Sequence, residues 1–304
     1  MESKSVTAQY AAAHRAYHHR HIPSPILQDN MASWLLEPPL STVLKYGPLR
    51  WLFWRPLYQQ VQPMSTFVVV RSRYTEDGLM KAVEDNCGQY VILGAGLDSW
   101  ALRSSSQGVK VFELDHPLTQ QRQHDRILEW LGALPSNLIL RPIDFEKESI
   151  SAAVLGLEYD PQSKVYVSWL GTICYLTLES IQQTFSSLAQ ICAPGSRLVF
   201  DYFEPKSAMS PEDLRLYETL DEGGTKRGEP MRTLLNAADM ADILSAAGFT
   251  VVEDIGGAEI SGRYLKNRTD GLSLPGVVRR FSSYTTSWNT TATICTSILV
   301  LARI

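Results

Sequence analysis

The strongest chemical signal in this sequence is a glycine turn after an apolar run, Val91-Ile-Leu-Gly-Ala-Gly-Leu-Asp-Ser99. Gly94 and Gly96 carry no Cβ, so the backbone there can come close to a ligand. The next apolar run ends in Asp115, at the chain distance where an acid binds ribose hydroxyls in parallel α/β folds. Together they predict a nucleoside-binding site; the alternative is a tight turn with a solvated acid.

A further position limits which nucleoside is expected. Dinucleotide-binding turns carry a third glycine that seats the pyrophosphate at a helix start, and Ser99 stands at that place. A glycine turn and a ribose acid without this fingerprint favour a cofactor that has no phosphate. S-adenosylmethionine fits that description, and an NAD-dependent oxidoreductase is disfavoured.

Several short motifs occur together along most of the chain. They are Arg71–Asp77, Leu93–Asp98, Arg103, Phe112–Pro117, Tyr175–Thr177, Ala193–Arg197 and Arg263–Gly271. In this combination the sequence resembles the leucine carboxyl methyltransferase family, which includes phosphatase-2A methyltransferases and many microbial small-molecule O-methyltransferases. The resemblance implies S-adenosylmethionine as cofactor and no metal.

The resemblance also implies how the cofactor's tail and sugar are held. Arg71 would bind its carboxylate, with Arg73 as the alternative if the register shifts. The turn Gly94-Ala95-Gly96 would pass under the methionine part, and Asp115 would bind the ribose. The alternative for Arg71 is a surface salt bridge.

The adenine is expected beside the second and third strands. His116 adjoins the ribose acid and would line the adenine side. Asp144 matches the family's acid after the third strand, and Phe145 would lie beside the base. Asp144 could also cap a helix before Lys147.

One position departs from the family pattern. The family usually has Ala-Glu-Gly after the fourth strand, whereas this chain has Trp169-Leu170-Gly171. Leu170 replaces the acid near the cofactor's sulfur, so we expect a more apolar acceptor side that suits a larger or flatter substrate than a protein tail.

The class of acceptor depends on whether the acceptor must lose a proton before it is methylated. A carboxylate with a pKa of about 4 is ionised at neutral pH and needs no base, whereas a phenol or alcohol needs one. Tyr175 offers a hydroxyl donor, and the strand ends offer no free histidine. We expect a small-molecule carboxylate as acceptor. The alternatives are a phenolic or alcoholic hydroxyl, a protein's C-terminal leucine carboxylate, and a catalytically silent nucleoside-binding partner subunit.

Four histidines and two arginines cluster in residues 14–21. Arg15 or His18 could belong to a cap that closes over the pocket and pairs with an anionic group. A solvated helix face is the alternative. Metal binding is disfavoured because adjacent histidines point apart on a helix.

Alternating strands and helices predict the architecture that positions these residues. Apolar runs at residues 90–93, 109–114, 137–140, 164–169 and 197–200 alternate with helical stretches, and strands at Phe249–Val252 and Thr293–Leu301 follow. This pattern predicts a doubly wound, class I methyltransferase-like α/β fold with seven strands, mostly parallel, with an antiparallel last strand. Residues 1–70, rich in proline, are expected to form a cap of short helices; residues 71–304 form the catalytic domain, with an irregular insertion at about 205–235.

Composition limits the partners. The 304 residues carry 28 Lys and Arg, 32 Asp and Glu, and a net charge of -4. We expect no nucleic-acid partner, which would need a basic face, and no membrane partner.

The four cysteines are widely spaced, as is typical of reduced cytoplasmic proteins. The oligomeric state stays open.

Overall fold

A seven-stranded sheet forms the centre of the molecule. The computed structural model describes residues 6–104, 108–276 and 280–286. The strands are Gln89–Leu93 (β1), Lys110–Asp115 (β2), Leu138–Pro142 (β3), Val165–Trp169 (β4), Arg197–Tyr202 (β5), Phe249–Ile255 (β6) and Arg280–Thr286 (β7). Their order is β3-β2-β1-β4-β5-β7-β6, and β1 to β5 pair in parallel.

Helices connect the strands and form the cap. They are Val6–His21 (α1), Ala32–Leu35 (α2), Leu40–Lys45 (α3), Gly47–Leu49 (α4), Arg55–Gln60 (α5), Gln62–Glu84 (α6), Trp100–Arg103 (α7), Pro117–Leu131 (α8), Ile150–Leu155 (α9), Leu178–Ala189 (α10), Pro211–Lys226 (α11), Ala237–Ala246 (α12) and Gly257–Tyr264 (α13). A π-helix spans Arg50–Trp54, and short 3-10 turns span Ile173–Tyr175 and Lys206–Ala208. None of the helices in the described residues is long and apolar enough to cross a membrane.

Both faces of the sheet are covered, as the apolar strands require. In β1, Tyr90 and Ile92 pack into one hydrophobic cluster, which includes cap residues of α1 and α6. The alternate residues, Val91 and Leu93, pack into the other cluster with α9, α10 and α12. This alternation follows from the two-residue period of a strand. The predicted doubly wound α/β sheet is confirmed.

The last two strands differ from the prediction in their placement. β7 is antiparallel to both β5 and β6 and lies between them, so the edge strand is β6. The strand predicted at Thr293–Leu301 lies outside the described residues.

The cap contains longer helices than its proline content predicted. α1 has 16 residues and α6 has 23. The expectation of short helices was wrong for both because the prolines are unevenly spaced. None precedes Pro23, and none occurs between Pro63 and Pro117, so each helix occupies a proline-free run or begins beside a proline. α6 runs through residues 70 and 71, where the sequence placed the limit of the cap.

The insertion after β5 is also more regular than expected. It contains α11, which Ser210 caps by accepting a hydrogen bond from the backbone N–H of Asp213. The Gly223-Gly224 pair lies inside this helix. A Cβ on Gly224 would meet the carbonyl oxygen of Glu229 at 2.4 Å, so the glycine lets the following turn fold back onto the helix.

Candidate functional site

A cavity of about 450 Å³ opens at the carboxyl ends of the parallel strands. It lies beside β1 and β4, where the strand order reverses direction, and ligands of open α/β sheets bind at such a point. The predicted site residues that line it are Arg15, Arg71, Gly94, Ala95, Gly96, Asp115, His116, Asp144, Phe145, Leu170 and Tyr175. His18 is absent from the described lining.

The glycine turn needs both of its glycines. Gly94 and Gly96 have φ angles of +64° and +61°, in the left-handed region that side chains disfavour. A Cβ on Gly94 would stand 2.3 Å from the Thr172 hydroxyl oxygen, and one on Gly96 would stand 3.2 Å from the Cβ of Ala8. The turn is therefore held closely between the loop after β4 and the start of α1.

Asp115 is bound to the glycine turn itself. The backbone N–H of Gly96 donates to Asp115 Oδ2 at 2.5 Å, and that of His116 donates to Oδ1 at 2.6 Å. Burial raises the pKa of Asp115 to about 6, although these two hydrogen bonds and His116 oppose the shift. His116 lines the cavity, but its Nδ1 accepts from the backbone N–H of Leu118 at 3.4 Å and so caps α8.

Arg71 reaches the cavity from α6 and is held there by an acid. Its Nη1 donates to Asp201 Oδ2 at 2.9 Å, and the backbone N–H of Gly171 donates to the other oxygen, Oδ1, at 2.6 Å. Asp201 is buried in β5, so this is not the surface salt bridge considered from the sequence. Arg73 instead pairs with Asp77 at 2.8 Å with 45% of its side chain exposed.

The third strand brings Asp144 and Phe145 to the cavity. Lys147 Nζ donates to Asp144 Oδ2 at 2.7 Å, and this bond, more than any other cause, lowers the pKa of Asp144. The helix that follows is capped by Ser149. The interpretation of Asp144 as a helix cap was therefore wrong; its side chain closes the turn before that helix through the N–H of Glu146.

Half of the N-terminal cluster, residues 14–21, is buried. Arg15 Nε pairs with Asp29 at 2.8 Å, and its Nη2 donates to the carbonyl of Leu97 at 2.5 Å, beside the glycine turn. His18 Nε2 accepts the backbone N–H of Ile26 at 2.8 Å, and burial, first among several causes, lowers the pKa of His18 to about 4. A solvated helix face was therefore wrong for these residues and for His14, which is also buried.

Four residues form what we call the insert side of the cavity: Thr7, Tyr175, Glu229 and Arg232. Thr7 Oγ1 donates to Glu229 Oε2 at 2.5 Å. Tyr175 hydrogen-bonds to Thr7, and burial raises its pKa.

Arg232 is tied to the Tyr175 turn by its backbone. Its N–H donates to the carbonyl of Cys174 at 2.7 Å, and its side-chain Nη1 pairs with Glu146 Oε1 at 3.1 Å. Half of each side chain is exposed. Sequence reasoning missed Thr7, Glu229 and Arg232, and also Asp201; only Asp201 had a local signal, as an acid at the end of an apolar run.

The charges and shape of the cavity fit S-adenosylmethionine. A strand-end carboxylate lies beside a turn that two glycines keep open, and a partly buried guanidinium reaches the same cavity, as a nucleoside with an amino-acid tail requires. Within the ranges that the structure describes, no group of three or more His, Cys, Asp and Glu residues could hold a metal ion.

Comparison with known proteins agrees with this fit. The sequence profile described as leucine carboxyl methyltransferase matches residues 8–189. YktD of Bacillus subtilis (strain 168), named as an S-adenosyl-L-methionine-dependent methyltransferase, is 28% identical over 297 residues, which cover 88% of this chain and 94% of YktD. A Mycobacteroides abscessus protein named for the same activity is 31% identical over 205 residues, 65% of this chain and 66% of its own.

One solved structure shows the same fold over nearly the whole chain. A DUF574 family protein from Streptomyces avermitilis superposes with a TM-score of 0.57 at 12% identity, covering 94% of this chain and 98% of its own. With the match to the family, the predicted class I methyltransferase-like fold and cofactor are confirmed. The chain belongs to the leucine carboxyl methyltransferase family of S-adenosylmethionine-dependent methyltransferases.

Proposed function

We propose that the protein methylates the carboxylate of a small molecule and forms a methyl ester. The observation that carries this proposal is Arg232, a half-exposed guanidinium on the insert side of the cavity. Its ion pair with Glu146 is open to solvent, and such pairs are weak, so an incoming carboxylate can replace Glu146. The hydroxyls of Thr7 and Tyr175 on the same side can orient the acceptor.

The cofactor roles of the other residues follow their positions in the cavity. Asp115, at the end of β2, would accept hydrogen bonds from the ribose hydroxyls, as strand-end acids do in related folds. Arg71 would bind the carboxylate of the methionine part while Asp201 holds its guanidinium in place. Phe145 and Asp144 would border the adenine, and Leu170 would provide an apolar wall near the reacting atoms.

The chain's contribution to catalysis is alignment and exclusion of water. When bound, the cofactor supplies a methyl group on a positively charged sulfur; the carboxylate oxygen bonds to the methyl carbon as the carbon–sulfur bond breaks and its electron pair stays on sulfur. No proton moves in this step, so no residue has to act as a base. Arg232 would hold the acceptor in line, and α1 would cover the cavity from above the glycine turn.

A hydroxyl acceptor is the second candidate, and Glu229 favours it. This carboxylate lines the cavity and receives a hydrogen bond from Thr7, which in turn bonds to Tyr175. Glu229 could act as the general base that takes a proton from a phenol or alcohol. The sequence alone had offered no residue for this role.

The nature of the new bond separates the two candidates. The purified protein is incubated with methyl-labelled S-adenosylmethionine and a panel of small carboxylic acids and phenols, and each product is then treated with mild base. Methyl esters release the label as methanol, whereas phenolic ethers retain it. Label that is transferred and then released supports carboxyl methylation; label that resists base contradicts it and supports the hydroxyl reaction.

A further inference from the structure

An exposed aromatic surface lies on the cap, on the helical segment from residue 47 to residue 60. Trp51, Leu52 and Phe53 are 65%, 56% and 58% exposed, and Tyr46 just before the segment is 53% exposed. Single exposed apolar residues are ordinary, but large ones grouped together mark an interaction surface. We call the exposed side of Lys45–Arg55 the aromatic patch.

The opposite side of the same segment is firmly packed. Trp54 is 1% exposed, and its ring lies 5.2 Å from that of His14 in α1. The ring of Tyr58 lies 4.6 Å from that of Tyr17 in the same helix. The backbone N–H of Arg55 bonds to the carbonyl of Arg50, five residues earlier, so this π-helical turn is wider than an α-helical one. The aromatic patch is thus the outer side of an ordered element.

The aromatic patch also carries positive charge without acids. Lys45 and Arg55 are exposed and Arg50 is partly exposed, and no Asp or Glu occurs between Glu37 and Glu76. Arg20 of α1 lies on the same side of the cap as Arg50, because both act on His21. The pKa of His21 is lowered to about 4. Burial is the largest cause, and the positive charges of Arg50 and Arg20 are the next two, so both guanidinium groups act on its ring.

We propose that the aromatic patch binds the surface of a bilayer that contains anionic lipids. Trp, Phe and Leu side chains enter the headgroup region from an amphipathic element, and the surrounding Lys and Arg residues are attracted to the negative surface. The net charge of -4, which predicted no membrane partner, averages over this local excess of basic residues.

Charge also decides between a bilayer and a second copy of the chain. In a two-fold dimer each aromatic patch would face its own copy. Lys45, Arg50 and Arg55 would then meet the same three cations, with no acid in the segment to neutralise them. An anionic surface matches the charge of the aromatic patch, whereas a second copy repels it.

Vesicle flotation tests this proposal on the full chain. The vesicles contain either phosphatidylcholine alone or equal amounts of phosphatidylcholine and phosphatidylglycerol. We expect binding to the anionic vesicles that weakens about tenfold as salt rises to about 0.5 M. The double variant Trp51→Ser/Phe53→Ser should lower binding by about tenfold or more. Lys45→Gln/Arg55→Gln should lower it similarly and flatten its salt dependence.

A matched control changes two exposed leucines of α9 and α10, helices that pack on the other face of the sheet from the cap. Leu155 and Leu178 are 46% and 45% exposed, and Leu155→Ser/Leu178→Ser should bind vesicles like the unmodified protein. Every variant should keep its affinity for S-adenosylmethionine. Three results would overturn the proposal: no binding to the anionic vesicles at low salt, equal binding by the Trp51→Ser/Phe53→Ser variant, or a dimer that this variant dissociates in sedimentation velocity.

Discussion

Thr7 donates a 2.5 Å hydrogen bond to Glu229, a residue 222 positions later in the chain. The bond joins the start of α1 to the turn after α11, and both residues line the cavity. Gly224 makes this possible, since its missing Cβ leaves room for the carbonyl of Glu229, and the Glu229 N–H donates to the Gly224 carbonyl at 2.9 Å. The insertion and the cap therefore meet at the site.

Glu229→Gln separates a structural role of this bond from a proton-transfer role. The amide oxygen of Gln still accepts from Thr7, so carboxyl methylation should fall by no more than roughly fivefold in kcat/KM. If Glu229 were the base for a hydroxyl acceptor, the loss would be about 100-fold or more. Thr7→Val is the complementary control, because it removes the hydrogen bond and leaves the carboxylate.

Cofactor affinity should depend on pH through Asp115. Its pKa is raised to about 6, so the carboxyl is largely protonated at lower pH and ionised above it. The ribose hydroxyls are donors to the ionised form, and the affinity for S-adenosylmethionine should therefore fall roughly tenfold for each pH unit below about 6. Titration calorimetry across this range measures the effect. A slope equally steep in Asp115→Asn would assign it to another group.

Gly171→Ala should weaken cofactor binding by displacing Arg71. Gly171 has a φ of +64°, and a Cβ there would meet Arg71 Nη1 at 2.6 Å. The left-handed conformation alone costs about 1–2 kcal/mol with a side chain, so the melting temperature should also fall. Gly262→Ala is the matched control: this glycine lies in α13 with open space around it, so alanine should stabilise the helix. Unchanged cofactor affinity in Gly171→Ala would contradict the role of Arg71.

The cap should depend on the buried acid Asp29. Asp29 pairs with Arg15 at 2.8 Å and with Arg103 at 3.4 Å, and it is 1% exposed. Asp29→Asn leaves two arginines without their shared anion, and we expect a loss of about 3–5 kcal/mol in the free energy of unfolding, measured with urea. Glu158→Gln removes an exposed ion pair with Lys110 and should leave stability unchanged.

The pH dependence of this contribution has a definite sign. Burial raises the pKa of Asp29, but Arg15 and Arg103 outweigh it, and the net pKa is lowered. The stabilisation is therefore present above the unfolded-state pKa of about 4 and is lost as the pH falls through the lower folded-state pKa. If Asp29→Asn were as stable as the unmodified protein at neutral pH, this ion-pair cluster would not hold the cap.

Local signals made the cofactor-binding part of the site predictable. The glycine turn and Asp115 follow consecutive strands, and parallel pairing of β1 with β2 must bring their ends together. Arg71 and Tyr175 entered through short motifs that carry the family resemblance, and Asp144 entered as the match to the family's acid after the third strand. These residues line one cavity.

Apart from Tyr175, the insert side could not be predicted, because long-range packing creates it. Thr7, Glu229 and Arg232 stand in segments with no periodic pattern or motif, and their contacts join α1 to the segment after α11. The cluster of residues 14–21 was misleading for a related reason. Its polar residues favoured a solvent-exposed helix face. In the structure, Arg15 and His18 instead have buried partners, which are Asp29, the carbonyl of Leu97 and the N–H of Ile26.

Calorimetric titration with S-adenosylmethionine at neutral pH tests the site most directly. The unmodified protein should bind one equivalent, and Asp115→Ala should lower the affinity by about 100-fold, since it removes a charged hydrogen-bond acceptor from the ribose. Asp242→Ala, which changes an exposed acid of α12, should bind like the unmodified protein. Equal affinity of Asp115→Ala and the unmodified protein would contradict the placement of the cofactor in this cavity.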